Sequence, residues 1–295
     1  MRRPDRIACG KRSRLPALRL TGQVEPEGLS RRVNAQILWT SRTCARLPGS
    51  FNKMSYDTAE AIRQRIAGLR WSHPIDLGHG VTTREGVVHR RFLRRLRLVQ
   101  IPQDLRGWTV LDIGSWDGFF AFECEKRGAD RVLAIDTYAW DTYGMDCFLA
   151  AKEILNSRVE YKRIDVHEVS PENIGTFDLV LFFGVFYHLR NPLSALERIR
   201  SITRKLMICE THLLLPFMHE KYPLIPFFQG DENCSPEVPE LCAKPTLECL
   251  KRMLKAAGFS QLEVKYTPSF RFWKKFVSLL TNHPQSGRGI VHARP

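Results

Sequence analysis

Residues 110–118 read Val-Leu-Asp-Ile-Gly-Ser-Trp-Asp-Gly, an apolar run that ends on an acid, Asp112, and turns through Gly114 and Gly118 into a second apolar run beginning at Phe119. Glycine has no Cβ, so at such a turn the backbone can come close to a ligand while the chain bends from strand to helix. A further apolar run, Arg-Val-Leu-Ala-Ile-Asp, ends on Asp136, 24 residues beyond Asp112. An acid at the tip of a second strand, about 20 residues past a glycine turn, is where an α/β nucleotide site takes hold of ribose hydroxyls. Together the two signals predict a site for an adenosine-containing cofactor. The alternative role for Asp136 is to cap the helix that follows.

A dinucleotide site places G-x-G-x-x-G directly after the strand, because a pyrophosphate needs bare amides at a helix N-terminus. Here an acid precedes the first glycine, which repels a pyrophosphate and suits the ammonium of a methionine moiety. The pattern Asp112-x-Gly114-x-x-x-Gly118 resembles motif one of the class I S-adenosylmethionine (SAM) methyltransferases. It departs from the commonest form in carrying Trp116 where a middle glycine is usual. The resemblance implies that Asp112, Gly114, Ser115 and Gly118 hold the methionine end and Asp136 the ribose. Asp165, in Arg-Ile-Asp-Val-His, would accept the adenine amino group; its alternative is an exposed loop acid. Trp116 and Phe119 read as space fillers above the sheet.

A fourth apolar strand runs into Gly184-Val-Phe-Tyr-His-Leu-Arg-Asn-Pro-Leu. Tyr187 and His188 therefore emerge where an acceptor must dock and are the catalytic candidates. A histidine with a pKa near the usual ~6.5 could take a proton from the acceptor as it is alkylated, or could donate a structural hydrogen bond to its own loop. This segment is similar to the Gly-Val-x-Tyr-His-x-x-x-Pro-Leu segment of the tRNA wobble-uridine 5-oxyacetate synthases and their methyltransferase-like relatives, a group also labelled tRNA 5-methoxyuridine methyltransferase. The likeness continues in Cys209-Glu-Thr-His-Leu, in 247–259 ending Ala-Ala-Gly-Phe, in the terminal Gly287-Arg-Gly-Ile-Val-His-Ala-Arg-Pro, and in Trp71-Ser-His-Pro-Ile-Asp-Leu-Gly-His-Gly-Val. It spans residues 54–295. In the synthases the cofactor is carboxy-SAM, whose extra carboxylate is held by a lysine, a tyrosine and an arginine. The resemblance carries the tyrosine to Tyr187 and the arginine to Arg288. The lysine belongs in the loop after Trp71, where this chain has Ser72 and His73. Losing that cation removes a charge-assisted hydrogen bond on the order of 1.5–3 kcal/mol, and His73 replaces it only when protonated. The expectation is therefore SAM and methyl transfer, with carboxymethyl transfer from carboxy-SAM as the alternative. A non-catalytic RNA-binding module on the same fold is a further alternative.

Composition bounds the rest. The 295 residues are 43% hydrophobic and 26% charged, as in a globular protein, and no apolar run approaches the roughly 18 residues of a membrane span. Eight cysteines are scattered without a C-x-x-C pair, which suits a reducing, cytoplasmic setting and neither a disulfide framework nor a metal cluster. His167, His188, His212 and His219 lack ligand spacing, so no metal is expected. The net charge of +14 is uneven: residues 1–53 hold twelve Lys and Arg against three acids, hence +9. That segment reads as a disordered or non-native basic extension, a transit peptide, or an Arg-rich arm for RNA. Met54 opens an ordinary amphipathic helix and reads as the natural start. The helix over 86–99 sets Arg90, Arg91, Arg94, Arg95 and Arg97 among Val88, Phe92, Leu93, Leu96 and Leu98. It either covers the sheet with a solvated basic side or presents a phosphate-contacting surface. The second reading makes tRNA a candidate partner, while a small-molecule acceptor remains open and oligomeric state is not readable.

These residues need a scaffold, and the pattern supplies one. Helices are expected over 55–69 and 86–99, with a loop over 71–81 between them. Strands are expected at Thr109–Ile113, Arg131–Asp136, 159–165, Phe177–Phe183, 205–211, Gln261–Tyr266 and 289–293. Helices over 119–127, 146–155, Pro192–Ile202 and 246–257 alternate with them, and 216–245 reads as an irregular Pro-rich excursion. Such alternation predicts an α/β, doubly wound, Rossmann-like seven-stranded sheet with its ligand outside the carboxyl ends of the strands. The last two strands are placed at its edge. The expected domains are a basic extension (1–53), a small helical N-terminal cap (54–105) and a SAM-binding methyltransferase domain (106–295).

Overall fold

The computed structural model describes residues 56–215, 222–229, 241–268 and 285–295. The expectations for 1–53 and for most of 216–245 lie outside the described residues. Seven strands form one sheet: β1 (Thr109–Ile113), β2 (Arg131–Asp136), β3 (Glu160–Arg163), β4 (Phe177–Phe183), β5 (Thr203–Leu215), β8 (Gln261–Tyr266) and β9 (Gln285–Arg294). Their order is β3-β2-β1-β4-β5-β9-β8. β1 to β5 run parallel, and the register sets Asp112 beside Ala134 of β2 and Leu181 of β4. The order reverses between β1 and β4, which opens a crevice at their carboxyl ends.

Apolar side chains alternate across the strands and feed two cores. Val110, Val132, Ala134, Leu179, Leu181 and Phe183 join one cluster, while Leu111, Ile113, Leu133, Ile135, Val180 and Phe182 join the other. All seven residues of β4 are buried, the signature of a central parallel strand covered on both faces. Burying a phenylalanine such as Phe182 stabilises the fold by about 1.5–3 kcal/mol.

Helices α1 (Ala59–Ile66), α2 (Val87–Val99), α3 (Phe119–Lys126), α4 (Tyr138–Thr142), α5 (Asp146–Ile154), α6 (Pro171–Ile174), α7 (Pro192–Ile202) and α8 (Leu247–Ala256) accompany the sheet, and a single 3-10 turn, Phe186–His188, follows β4. Caps set their limits. Thr58 accepts from the Ala61 amide at 3.2 Å, so α1 starts later than the amphipathic pattern does. Thr246 accepts from Cys249 in the same way at α8. Two short helices escape the periodicity: α4, and α6 with its Ser170/Asn173 capping box. Neither is long enough to show a repeat.

Three features differ from the sequence-based expectation. β5 is longer than 205–211, because its far half pairs with β9 from Met207↔Ala293 to Leu215↔Gln285. β9 is not an edge strand; it lies antiparallel between β5 and β8, so the sheet is mixed. Ile290, Val291, His292 and Ala293 are accordingly buried, whereas β8, the edge strand on that side, is half exposed. His292 disguises this interior position. Its Nε2 donates to the Val99 carbonyl at 2.8 Å, which meets the polar ring's need inside the fold. Finally, part of the 216–245 excursion is ordered, as β6 (Phe227–Gln229) and β7 (Leu241–Ala243) form an antiparallel ribbon.

Candidate active site

The three acids lie along the carboxyl edge of β1, β2 and β3. After β1 the chain turns sharply, with Gly114 at φ 73° and Gly118 at φ 89°. A Cβ on Gly114 would stand 2.3 Å from Val185 Cγ2, so glycine lets the segment after β4 close against this loop. The Gly114 and Ser115 amides donate to the Ile135 carbonyl, tying the loop to β2. Ser115 Oγ donates to Asp112 Oδ2 at 2.8 Å. Asp112 is 2% exposed, and burial pushes its carboxyl up to about 7.

Asp136 is held by backbone donors. Its Oδ2 accepts from the Trp116 amide at 3.0 Å and its Oδ1 from the Ala139 amide at 2.9 Å. The capping reading of this acid is realised at α4, and the same carboxylate also braces the glycine loop. Each carboxylate oxygen retains acceptor capacity after these bonds. Burial raises its pKa, and the amides pull against that rise. Trp116 occupies left-handed space at φ 51° and stacks on Tyr143 with centroids 5.2 Å apart. Asp165 lies just past β3, half-buried, with Oδ1 accepting from the His167 amide at 2.8 Å.

The second half of the site gathers around Gly184. An ideal Cβ there would be 3.7 Å from each of Arg95 Nη2, Arg288 Nη1 and Tyr187 Oη. Glu210, 1% exposed, accepts on Oε2 from Arg95 Nη2 and Arg288 Nη1, both at 2.7 Å. Arg288 Nη2 donates to Tyr187 Oη at 3.4 Å. Glu210 Oε1 and Arg95 Nε are buried without a hydrogen-bond partner. Two guanidiniums against one carboxylate leave a unit of positive charge. His188 sits ring to ring with Tyr187 at 4.2 Å. Burial, reinforced by Arg288, lowers its pKa to about 4, and the same causes bring His212 to about 3. Both imidazoles are neutral at pH 7.

Tyr187 and Arg288 therefore stand together, as the resemblance implies, and Asp112, Ser115 and Asp136 form one hydrogen-bonded loop. Arg95, Glu210, His212 and Asp117 are not among the site residues that the sequence points to. Glu210 had a signal, an acid inside an apolar strand. Arg95 had none, because its spacing matches the solvated arginines beside it. His73 does not join this group; it lies against Asp117, its ring 4.9 Å from Phe92.

Among the described residues no three or more His, Cys, Asp or Glu side chains form a metal-binding group. No helix among them is long and apolar enough to cross a membrane. A cleft of about 480 Å³ opens beside β3, but Arg131 and Glu160 line it at the amino ends of their strands, away from the acids.

Residues 87–264 match the family model described as a methyltransferase domain. Among curated proteins, the chain is 29% identical over 161 residues to a tRNA U34 carboxymethyltransferase of Pseudomonas putida (strain W619), covering 54% of this chain and 48% of that protein. It is 32% identical over 108 residues to the protein of that name from Geobacter sp. (strain M21), covering 37% and 32%. The chain thus matches half or less of the length of these relatives. Among solved structures, the N-terminal domain of EvdMO1 with SAH and D-fucose superposes with a TM-score of 0.58 at 17% identity, covering 80% of this chain and 95% of that one. That likeness is one of fold.

Proposed function

Since this chain belongs to the methyltransferase-domain family, we propose that it transfers the methyl group of SAM to an acceptor docked at Gly184, and that the acceptor is a tRNA wobble uridine. The observation carrying the cofactor reading is Asp136, fixed by two amides with acceptor capacity left on both oxygens. Such a carboxylate fits a ribose diol, which offers two adjacent donors. Asp112 is the acid available to a methionine ammonium, and Asp165 would meet the adenine with the oxygen its own turn leaves free. SAM, when bound, supplies a methyl already activated on a sulfonium, so the protein's part is alignment. Arg288 and Arg95 fix Glu210, Tyr187 is oriented by Arg288, and the bare Gly184 leaves room for the acceptor. The neutral His188 accepts a proton only weakly, which suits hydrogen bonding to an acceptor better than strong base catalysis.

Two observations support tRNA. Curated relatives carry the name tRNA U34 carboxymethyltransferase. On α2, Arg90, Arg91, Arg94 and Arg97 are exposed and form no ion pair among the described residues, as a surface for phosphates requires. Residues 54–105 would then serve as a cap that carries this surface to the site.

A second reading, carboxymethyl transfer from carboxy-SAM, is favoured by Arg95, which puts a second guanidinium beside Arg288 and Tyr187 despite the missing lysine. Calorimetric titration of the full chain with SAM and, separately, with carboxy-SAM separates the two. Tighter binding of SAM upholds methyl transfer, and tighter binding of carboxy-SAM replaces it with the second reading. Binding of neither refutes both. Transfer to an anticodon stem–loop RNA carrying 5-hydroxyuridine then tests the acceptor.

A further inference from the structure

Asp117 is fully buried in the turn between β1 and α3. Its Oδ2 accepts two consecutive amides from a distant segment, Ser72 N at 2.6 Å and His73 N at 2.8 Å. Its Oδ1 faces His73 Nδ1 at 3.5 Å, and neither of these buried atoms has another partner. The segment that reaches it, residues 71–83, is itself a compact strap. Thr83 Oγ1 accepts from the Ile75 amide at 2.8 Å and donates to the His73 carbonyl at 2.5 Å, while Asp76 and Thr82 pair as an antiparallel bridge. Ile75, Leu77 and Val81 anchor it in the core.

The contact lands at the glycine loop. The His73 ring lies over the start of α3, at 6.1 Å from both Phe119 and Trp116. Across Phe92 it also meets α2, which delivers Arg95 to Glu210. Loop residues 116 and 117 are therefore tied on two sides: the Trp116 amide to Asp136, and the Asp117 carboxylate to the strap. A loop held this way has less freedom to lose when a ligand settles on it, which is the source of affinity through preorganisation. Without its two amide donors, a carboxylate this deeply buried would be left uncompensated, and the loop would have to rearrange.

We infer that Asp117 is a positioning residue: by accepting the Ser72 and His73 amides it fastens strap 71–83 over the 112–118 loop and holds both in the shape that binds the methionine end of SAM. The inference rests on placing the cofactor at that loop. Asp117 need not touch the cofactor, and its role depends on accepting two amides rather than on its charge. Asparagine, whose Oδ1 has two lone pairs, should therefore preserve most of it.

The test compares the full-length wild type with Asp117→Ala and Asp117→Asn, by calorimetric titration with SAM and by amide hydrogen exchange over residues 71–77 in the free protein. Asp117→Ala should bind SAM at least about tenfold more weakly and exchange faster in that segment, with α7 and β4 unaffected. Asp117→Asn should stay within about threefold of the wild type in both. A merely structural role would give a general loss of protection and no rescue. Unimpaired SAM binding by Asp117→Ala overturns the inference, as does an Asn variant as weak as the Ala variant. Should Asp117→Ala fail to fold, Thr83→Ala loosens the strap from its other end, and unchanged SAM affinity there overturns it equally. A wild type that binds no SAM sinks the cofactor placement itself, which is a different failure from a wild type that binds while Asp117→Ala binds equally well.

Discussion

Replacing Asp112 by asparagine should make the free protein progressively more stable relative to the wild type as pH rises, while weakening its cofactor binding. Burial raises this carboxyl from the ordinary 3.8 to about 7. A raised acid holds its proton in the folded state between those two values, so the folded state is penalised as pH rises through them and the penalty is complete above about 7. About three pKa units correspond to a ceiling of about 4 kcal/mol at pH 8, and to about 2 kcal/mol at pH 5. Asparagine carries no such penalty. Its Oδ1 still accepts from Ser115 Oγ, but its amino group needs buried acceptors, at a cost of about 1–3 kcal/mol. That cost is independent of pH, so the robust signature is the difference between conditions. The variant should gain about 2–3 kcal/mol on the wild type between pH 5 and pH 8, which is several degrees of Tm for a chain of this size. Differential scanning calorimetry at the two pH values measures it. SAM affinity should fall at the same time by about 10- to 150-fold, the loss of a charged hydrogen bond. A stability gap that does not change with pH would refute the buried-charge argument, and undiminished SAM affinity would refute the assignment to the methionine end.

Other outcomes follow from the same geometry. In the wild type, SAM affinity should drop by about tenfold per pH unit below pH 7, because a proton competes with the ammonium for Asp112; a flat titration from pH 5.5 to 8 would count against it. Asp136→Ala should reduce SAM binding beyond calorimetric detection, since the ribose acceptor and two amide acceptors are lost together; unchanged affinity sinks the ribose role. Gly118→Ala should destabilise by about 2–4 kcal/mol. Its φ is 89°, and the new Cβ would meet Phe122 and Phe148 ring atoms at 2.5–2.9 Å, so a chemical denaturation midpoint close to the wild type's would contradict the packing. Asp178 gives the opposite pH sign to Asp112. Burial raises its carboxyl, but the Thr109 amide, Arg204 and Lys205 overcome this and hold it at about 2. Its contribution to stability is present above pH 4 and lost from there down to pH 2, so Asp178→Asn should flatten the acid limb of a denaturation profile.

Much of this protein is written locally. Thr109–Ile113, Phe177–Phe183 and Pro192–Ile202 are legible because each is a run whose length, punctuation and apolar content admit one secondary structure, and their alternation requires a parallel, covered sheet. Asp112, Gly114 and Asp136 are legible for the same reason, since a strand tip and the turn after it are neighbours in sequence. The clamp at Gly184 is a different matter. Arg95 comes from α2, Glu210 from β5 and Arg288 from β9, and no spacing relates three elements so far apart in the chain. Arg288 reaches the site because β9 inserts antiparallel between β5 and β8, placing it opposite His212. A pattern that shows burial cannot show which neighbour supplies it, so the strand read as an edge. Arg95 and Asp117 make the point at the scale of single side chains. One of five helical arginines turns inward to a buried carboxylate, and one loop acid accepts two amides more than forty residues away, because tertiary packing brings each a buried partner that must be satisfied.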